Sequence, residues 1–191
     1  FKDGDYIRLV NGSNQTIGYG VYSEDQPIAI RVFHFGSSLR NRFFLKRLRE
    51  LWKKRKDLTV ETNAIRLIHG ESDGIPGLTV DLYDQTAIIQ YYSPSIYGLG
   101  RLISLLLPQC LPKDFAMNIQ LRAATRMGLA SSKAKSPRWV RGKPQKEIEI
   151  KEGSFRYCVD FEHGHKGGFY LDLRGARRFL TAFDFGGKEV L

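Results

Sequence analysis

The sequence predicts an α+β protein, because short segments with strand-like alternation and longer segments with helical periodicity follow one another along its 191 residues. Residues 4–35 hold strand-like runs only, which favours a small β-barrel at the start of the chain. Residues 37–162 mix two amphipathic helices with several strands. The hydrophobic fraction of 42% is ordinary for a soluble globular protein.

The first region reads as YIRLV, the turn NGSN, then GYGVYS and IAIRVF. In the last run Ile28, Ile30 and Val32 alternate with the other side chains, as in a strand with one buried face. This pattern predicts the strands of the small barrel.

A helix is predicted from Arg40 to Lys56, with Ser37 or Ser38 as its N-cap. Its apolar side chains recur at helical spacing and predict a buried stripe that consists of Phe44, Leu48, Leu51 and Trp52. Cations occupy the opposite face, which is either an RNA-binding or membrane-binding surface or an ordinary solvated face. That cationic face consists of Arg42, Lys46, Arg49, Lys53 and Lys56.

The central region continues with a strand meander, AIRLIH, LTVDLY and TAIIQYY, and with a helix over residues 95–107 that Pro108 ends. The segments EIEI and FRYCVDF, joined by KEGS, predict a hairpin. Acidic residues Glu71, Asp73 and Asp81 lack the spacing of a calcium loop, and they more simply solvate a turn. No metal site is therefore predicted.

Positive charge is concentrated in two segments of the chain. Residues 31–60 hold ten Lys and Arg against two Asp and Glu, and residues 121–146 hold eight against none, while the whole chain carries +10. Such segments suit a polyanion such as RNA, because neutralised phosphates release counterions. A basic protein without such a partner is the alternative.

The second basic segment, residues 122–146, is predicted to be a long mobile loop. Its cations and an exposed Trp139 would suit a single RNA strand, with bases stacked on the indole. A disordered basic linker explains the same composition.

Two cysteines, Cys110 and Cys158, show neither zinc spacing nor the density of a disulfide scaffold, which indicates a reducing, cytoplasmic setting. Cys158 is expected to be a buried thiol, since no adjacent base is evident. No apolar stretch is long enough to span a bilayer, so no membrane association is predicted.

The segment GHKGGFYLDLRGARRFL, residues 164–180, combines glycines, aromatics and arginines. Phe169, Leu173, Ala176 and Leu180 recur at helical spacing and predict an inward face, with the arginines 174, 177 and 178 on another face. Those arginines would either meet anions or form a solvated surface.

Three motifs, in order, resemble the RlmI-type RNA methyltransferases. GDYIRLVNGSNQTIGYGVYSEDQPIAIRVF is similar to the latter part of the family's PUA domain, and RLIHGESDGIPGLTVDLYD is similar to its central-domain signature. GHKGGFYLDLRGARRFL, followed by GGKEVL, resembles the family segment G-x-K-T-G-F-Y-L-D-Q-R that leads into a Rossmann-like domain. Gly167 stands in place of its threonine and Leu173 in place of its glutamine.

The resemblance implies a partial PUA-like RNA-binding domain over residues 1–36, a central α/β domain over 37–162 and the truncated start of a Rossmann-like methyltransferase domain over 163–191. It implies an S-adenosylmethionine (SAM)-dependent methyltransferase that modifies carbon 5 of a cytosine in large-subunit ribosomal RNA. The chain begins at Phe1 and stops at KEVL, so we expect a fragment, inactive alone, whose cofactor loop and catalytic cysteine lie beyond Leu191.

The resemblance supplies the cofactor-binding candidates, and the basic segments and the arginine face of residues 174–178 supply the RNA-binding candidates. Cofactor-binding candidates are Lys166, Tyr170, Asp172 and Arg174. RNA-binding candidates are Arg42, Lys46, Arg49, Lys53, Lys56, Arg122, Arg126, Lys133, Lys135, Arg138, Trp139, Arg141, Lys143, Arg177 and Arg178. Expected partners are SAM and ribosomal RNA, with a homodimer as one possible assembly. The alternative function is a non-catalytic RNA-binding or assembly module that has lost the chemistry.

Overall fold

A computed structural model of the chain describes residues 1–24, 26–40, 42–124, 136–164 and 168–183. Within these ranges ten strands form three sheets. The strands are β1 (Tyr6–Val10), β2 (Thr16–Tyr22), β3 (Ile30–Phe35), β4 (Ala64–His69), β5 (Leu78–Tyr83), β6 (Thr86–Tyr91), β7 (Asn118–Ala123), β8 (Arg138–Arg141), β9 (Glu147–Glu152) and β10 (Phe155–Asp160). The α-helices of the same ranges are α1 (Phe43–Arg55), α2 (Tyr97–Leu106) and α3 (Arg174–Leu180). The predicted α+β class is confirmed.

Strands β1, β2 and β3 form an antiparallel sheet in which each strand pairs with the next. Val21 and Phe33 from this sheet are buried in the same core as α1. Three strands agree with the predicted runs, whereas their membership of a PUA-like barrel stays a prediction.

The central sheet has the order β4-β5-β6-β7-β8. Only β6 and β7 among its neighbours are parallel, and α2 lies between them in the chain, since a parallel pair needs a crossover connection. Alternate side chains of the sheet pack on α1 and α2, with Leu48 and Ile103 at 0% exposure. The predicted meander and both predicted helices are thus present.

The other face of the central sheet is covered by the β9-β10 hairpin and by the chain that follows it. The apolar residues of this second core are Ala64, Tyr83, Ile88, Ile150, Val159, Phe161 and Leu171. Thr62 fastens the hairpin, because its hydroxyl donates to the carbonyl of Lys151 at 2.6 Å. The hairpin therefore belongs to the same packed body as the central sheet.

The predicted serine cap of α1 is wrong. The helix begins after Arg42, whose backbone is left-handed with φ of 68°, and no side chain caps the helix. The apolar stripe is confirmed in its buried part, with Phe44, Leu48 and Leu51 inside.

The predicted loop over residues 122–146 is wrong at its start and over residues 138–141. Arg122 lies in β7, and β8 pairs with β7 as the edge strand of the central sheet. Residues 125–135 lie outside the described residues. In β7 the residues Ile119, Leu121 and Ala123 alternate with polar ones as in a strand, and the charge of Arg122 misled the prediction.

Cys158 is exposed, which contradicts its predicted burial. It lies in β10, in which the next residue, Val159, points into the core and Cys158 points to solvent. Among the described residues, no helix is long and apolar enough to cross a bilayer.

Candidate functional site

The segment that the sequence singled out forms a short structure against the hairpin. A 3-10 turn, Leu171–Leu173, leads into the seven-residue helix α3. Glu152, at the end of β9, accepts hydrogen bonds at 2.7 Å from both Nε and Nη2 of Arg177. Nε of Arg174 donates to the same carboxylate at 3.3 Å. One carboxylate thus holds two guanidinium groups of α3.

Further contacts fix both arginines. The guanidinium of Arg177 lies over the Phe169 ring, 4.4 Å from its centroid, and donates to the carbonyl of Tyr170 at 2.8 Å. Nη2 of Arg174 donates to the carbonyl of Ala64 at 2.6 Å. These bonds tie α3 to the hairpin and to the first strand of the central sheet, and we name Glu152, Arg174 and Arg177 the Glu152 clamp.

The electrostatics of the clamp agree with its geometry. Hydrogen bonds from Arg177 hold the pKa of Glu152 below its ordinary value, although partial burial opposes the shift. The same bonds raise the pKa of Arg177. Glu152 and Arg177 therefore both keep their charges at neutral pH.

The predicted inward face of α3 is wrong. Leu173 and Leu180 are 49% and 52% exposed, and α3 has no buried residue. Arg174 and Arg177 instead face the protein, with side chains 22% and 20% exposed. The reason is the partner surface: the hairpin offers Glu152 and the edge of β4 offers a carbonyl, both of which suit a cation better than an alkyl group.

The four cofactor candidates occupy different settings. Tyr170 is 41% exposed and Asp172 is exposed, so both side chains reach the surface of the segment. Arg174 is engaged by the clamp. Lys166 lies outside the described residues.

Arg178 is the exposed arginine of α3, 79% accessible and 3.8 Å from Glu61. Together with the clamp and with Phe155 and Tyr157 it lines a cavity of about 340 Å³. Of the two RNA-binding candidates on α3, Arg178 is the one whose side chain is open to a ligand.

The cationic face predicted for α1 is exposed in full. Its members are Arg42, Lys46, Arg49, Lys53 and Lys56. Beside the start of the helix lies a cleft of about 570 Å³, whose lining adds Arg40 and Arg47 to these cations. The sequence prediction missed both, although they belong to the same charge run.

The second basic segment divides into buried and exposed residues. Arg122 is 8% exposed, and its Nη1 donates to the carbonyl of Phe161 at 2.9 Å. Burial also lowers the pKa of Arg122. A phosphate at the surface would not reach this group, so Arg122 is removed from the RNA-binding candidates.

Trp139 is half-buried rather than exposed, and its ring lies edge-on to Phe161 at 6.5 Å. The predicted exposed stacking ring is therefore wrong. Arg138, Arg141 and Lys143 are exposed. The remaining candidates of this segment, Arg126, Lys133 and Lys135, lie outside the described residues.

The acidic residues weighed as metal ligands have other partners. Asp73 accepts two hydrogen bonds from Arg55, at 2.9 and 2.8 Å, and Asp81 accepts two from Arg66, at 2.7 and 2.9 Å. Glu71 accepts the backbone N–H of Gly77. In the described ranges no group of three or more His, Cys, Asp or Glu could hold a metal ion.

Two curated proteins of similar sequence have the same name. The chain is 32% identical over 180 residues to a ribosomal RNA large subunit methyltransferase I from Alteromonas mediterranea, a match that covers 91% of the chain and 44% of that protein. It is 34% identical over 200 residues to the protein of the same name from Escherichia coli, covering 96% of the chain and 50% of that protein. The predicted resemblance to the RlmI-type methyltransferases is confirmed.

The chain spans about half the length of these RlmI-type relatives. Solved structures extend the fold comparison: a protein from Streptococcus mutans assigned as a SAM-dependent methyltransferase superposes with a TM-score of 0.75 at 20% identity, over 94% of the chain and 46% of that protein. A second structure, of a protein assigned as a methyltransferase and solved in complex with SAH, gives a TM-score of 0.75 at 21% identity and covers 94% of the chain and 45% of that protein. These two likenesses establish a shared fold. No protein-family profile matches the chain.

Proposed function

We propose that this chain is the RNA-binding part of a SAM-dependent methyltransferase that modifies carbon 5 of a cytosine in large-subunit ribosomal RNA. In this proposal the chain also forms one edge of the cofactor site. The observation that carries the proposal is the identity of 32–34% to RlmI-type relatives over 91–96% of the chain. The relatives' name supplies the reaction class and the ribosomal RNA, while the cytosine and its carbon 5 come from the family resemblance.

The proposed domain division is a partial PUA-like domain over residues 1–36, a central domain over 37–162 and the start of a Rossmann-like domain over 163–191. The packing of the β9-β10 hairpin on the central sheet supports placing residues up to 162 in one unit. The Glu152 clamp would then be the joint between the central domain and the methyltransferase domain.

Tyr170 and Asp172 suit a nucleoside cofactor. An exposed aromatic ring offers a face for adenine, and an exposed carboxylate accepts hydrogen bonds from ribose hydroxyls. SAM, when bound, supplies a methyl group activated by a positively charged sulfur. Arg174 fits less well as a direct contact, since its guanidinium is used by Glu152 and Ala64; we assign it the positioning of residues 170–172.

RNA binding would rest on the exposed cations of α1 and on Arg138, Arg141, Lys143 and Arg178. These side chains would neutralise phosphates and release counterions, so RNA affinity should fall steeply with salt. A neutral small ligand would show no such dependence.

The chemistry at carbon 5 requires an activated thiolate that adds to the cytosine ring. Neither thiol of this chain suits that role. A hydrogen bond to Glu147 raises the pKa of Cys158, and burial raises the pKa of Cys110. Both effects favour the neutral thiol, so we place the nucleophile elsewhere in the parent protein.

The test is calorimetric titration of SAM into the full-length parent and into this chain. We expect the parent to bind SAM and the isolated chain to bind it weakly or not at all. Tyr170→Ala and Asp172→Asn in the parent should weaken binding, whereas Lys113→Gln, at an exposed position outside the proposed sites, should not. A folded parent with no affinity for SAM would reject the enzyme assignment.

The alternative is a non-catalytic RNA-binding module. Leu173, 49% exposed where the family segment has glutamine, favours it, because leucine cannot hydrogen-bond to a ligand. RNA binding by a parent that binds no SAM would support this alternative. A cytoplasmic location and a homodimer remain predictions.

A further inference from the structure

The cleft beside the start of α1 lies where the chain passes from β3 into the helix. Its volume of about 570 Å³ falls within the range of ligand pockets. His34 lines it from β3, Ser38 and Arg40 line it from the connecting segment, and Arg42 and Phe43 line it from the start of the helix. The cleft therefore combines cations with aromatic rings.

The charge of the cleft is strongly unbalanced. Its single acidic side chain, Glu50, lies 3.8 Å from both Lys46 and Arg47. Arg40, Arg42 and Arg49 form no ion pair with any carboxylate of the described residues. Three guanidinium groups without a carboxylate partner border one cavity, which is the arrangement that a phosphate would stabilise.

The aromatic wall of the cleft consists of the His34 and Phe43 rings, which are held by contacts with their neighbours. The His34 ring stacks on Tyr19, with centroids 6.1 Å apart, and meets the edge of Phe43 at 5.0 Å. Its Nε2 lies 3.0 Å from the carbonyl of Ser38, which fixes the ring. Phe43 is supported from behind by Phe44 at 5.1 Å. The guanidinium of Arg47 lies over the Phe43 ring, 5.8 Å from its centroid, so a base that enters the cleft would meet this cation as well as the rings.

The backbone at the start of α1 also has an unusual conformation beside the cleft. Arg42 has φ of 68° although it is not glycine, and no side-chain cap compensates for this at the start of α1. Such conformations are unfavourable for a residue with a Cβ and are commonest at functional sites. Arg42 and Phe43, the residues at this left-handed turn, both line the cleft.

We propose that this cleft binds an unpaired nucleotide of RNA, with its phosphate on Arg40, Arg42 and Arg49 and its base against the rings of Phe43 and His34. The proposal rests on the proposed RNA-binding function and specifies its substrate as single-stranded. In a duplex the base faces are already stacked, so only an unpaired base could use the aromatic wall.

The first experiment compares charge variants of this chain. Arg40→Gln with Arg42→Gln should weaken binding of a labelled single-stranded RNA by about 20-fold near 0.1 M salt and reduce the salt slope by about 1.4, the value for two phosphate contacts. The control, Lys2→Gln with Lys151→Gln, removes the same charge at exposed positions outside the cleft. Equal losses in both double variants would overturn the phosphate site.

The second experiment tests the base. An RNA with abasic spacers keeps its phosphates but loses its bases, and it should bind the wild type about 5-fold or more weakly than the intact strand. Phe43→Leu should abolish this difference, whereas Phe35→Leu, at a 78% exposed ring outside the cleft, should preserve it. Because each variant is compared with itself on two RNAs, altered stability does not mimic the result.

Equal affinity of the wild type for intact and abasic RNA would overturn the base site, and tighter binding of the matching duplex would overturn the single-stranded assignment. These outcomes are distinguishable from failure of the proposed function. If the wild type transfers the methyl group but binds intact and abasic RNA equally, only the proposed base site in the cleft is rejected. If the full-length parent binds intact RNA more tightly than abasic RNA but transfers no methyl group, only the methyltransferase assignment is rejected.

Discussion

Replacement of Glu152 by glutamine should loosen α3 from the hairpin. The substitution keeps the size of the side chain but removes the charge that accepts two 2.7 Å hydrogen bonds from Arg177 and one of 3.3 Å from Arg174. A hydrogen bond to a charged group contributes about 1.5–3 kcal/mol. The clamp side chains are 11–22% exposed, so water screens part of this, and we expect a loss of about 2 kcal/mol.

Hydrogen exchange of the α3 amides is the suitable assay, because a helix near the end of the described chain can open without global unfolding. The N–H of Thr181, which donates to the carbonyl of Arg177, reports the end of the helix. A loss of about 2 kcal/mol corresponds to exchange about 30-fold faster. Glu149→Gln is the matched control on the same strand, since its pair with Arg156 is 63–67% exposed. Exposed pairs contribute about 0–1 kcal/mol, so the control should change little.

Equal exchange rates in the two variants would refute the clamp. The pH dependence gives a second check. The folded-state pKa of Glu152 lies below its ordinary value of 4.5, so its stabilisation is complete above that pH and is lost as the pH falls through the folded-state pKa. The wild type and Glu152→Gln should therefore differ constantly from neutral pH down to about 5 and converge in stronger acid.

Further predictions concern the central sheet and α2. A Cβ on Gly100 would lie 2.8 Å from Cδ1 of Leu121, whereas one on Gly98 would meet nothing within 4 Å. In urea unfolding, Gly100→Ala should lower the free energy of unfolding by about 1–3 kcal/mol, and Gly98→Ala should raise it by up to about 1 kcal/mol. Changes of the same sign in both variants would contradict this packing. Asp81→Asn leaves Arg66 without its partner in a site where Asp81 is 1% exposed, and should cost about 3–5 kcal/mol in the same assay. A loss below about 1 kcal/mol would mean that water solvates Arg66.

The sequence predicted the strands and helices whose burial shows in the local pattern of apolar and polar residues. AIRLIH and LTVDLY coincide with β4 and β5, because short apolar-rich runs bounded by turn residues indicate strands. The helix predicted over residues 95–107 contains α2, and its Leu99 and Ile103 are buried. The hairpin followed from two short strand-like runs around Gly153 and Ser154.

The errors concern contacts with distant segments. The spacing of Leu173, Ala176 and Leu180 is helical, but it contains no information on Glu152, more than twenty residues earlier, which turns the arginine face inward. Arg122 was read as part of a basic loop, although the alternation of β7 places it beside Gln120, where the carbonyl of Phe161 accepts from it. Arg40 and Arg47 were missed because the cleft also needs His34 and Ser38, whose position beside α1 the helical spacing does not contain.

Transfer of a labelled methyl group from SAM to protein-free large-subunit ribosomal RNA, by the full-length protein that contains this chain, tests the proposed function most directly. We expect incorporation into a cytosine at carbon 5, reduced when Arg40 and Arg42 are replaced by glutamine. No incorporation by a folded protein that still binds the RNA would contradict the methyltransferase assignment.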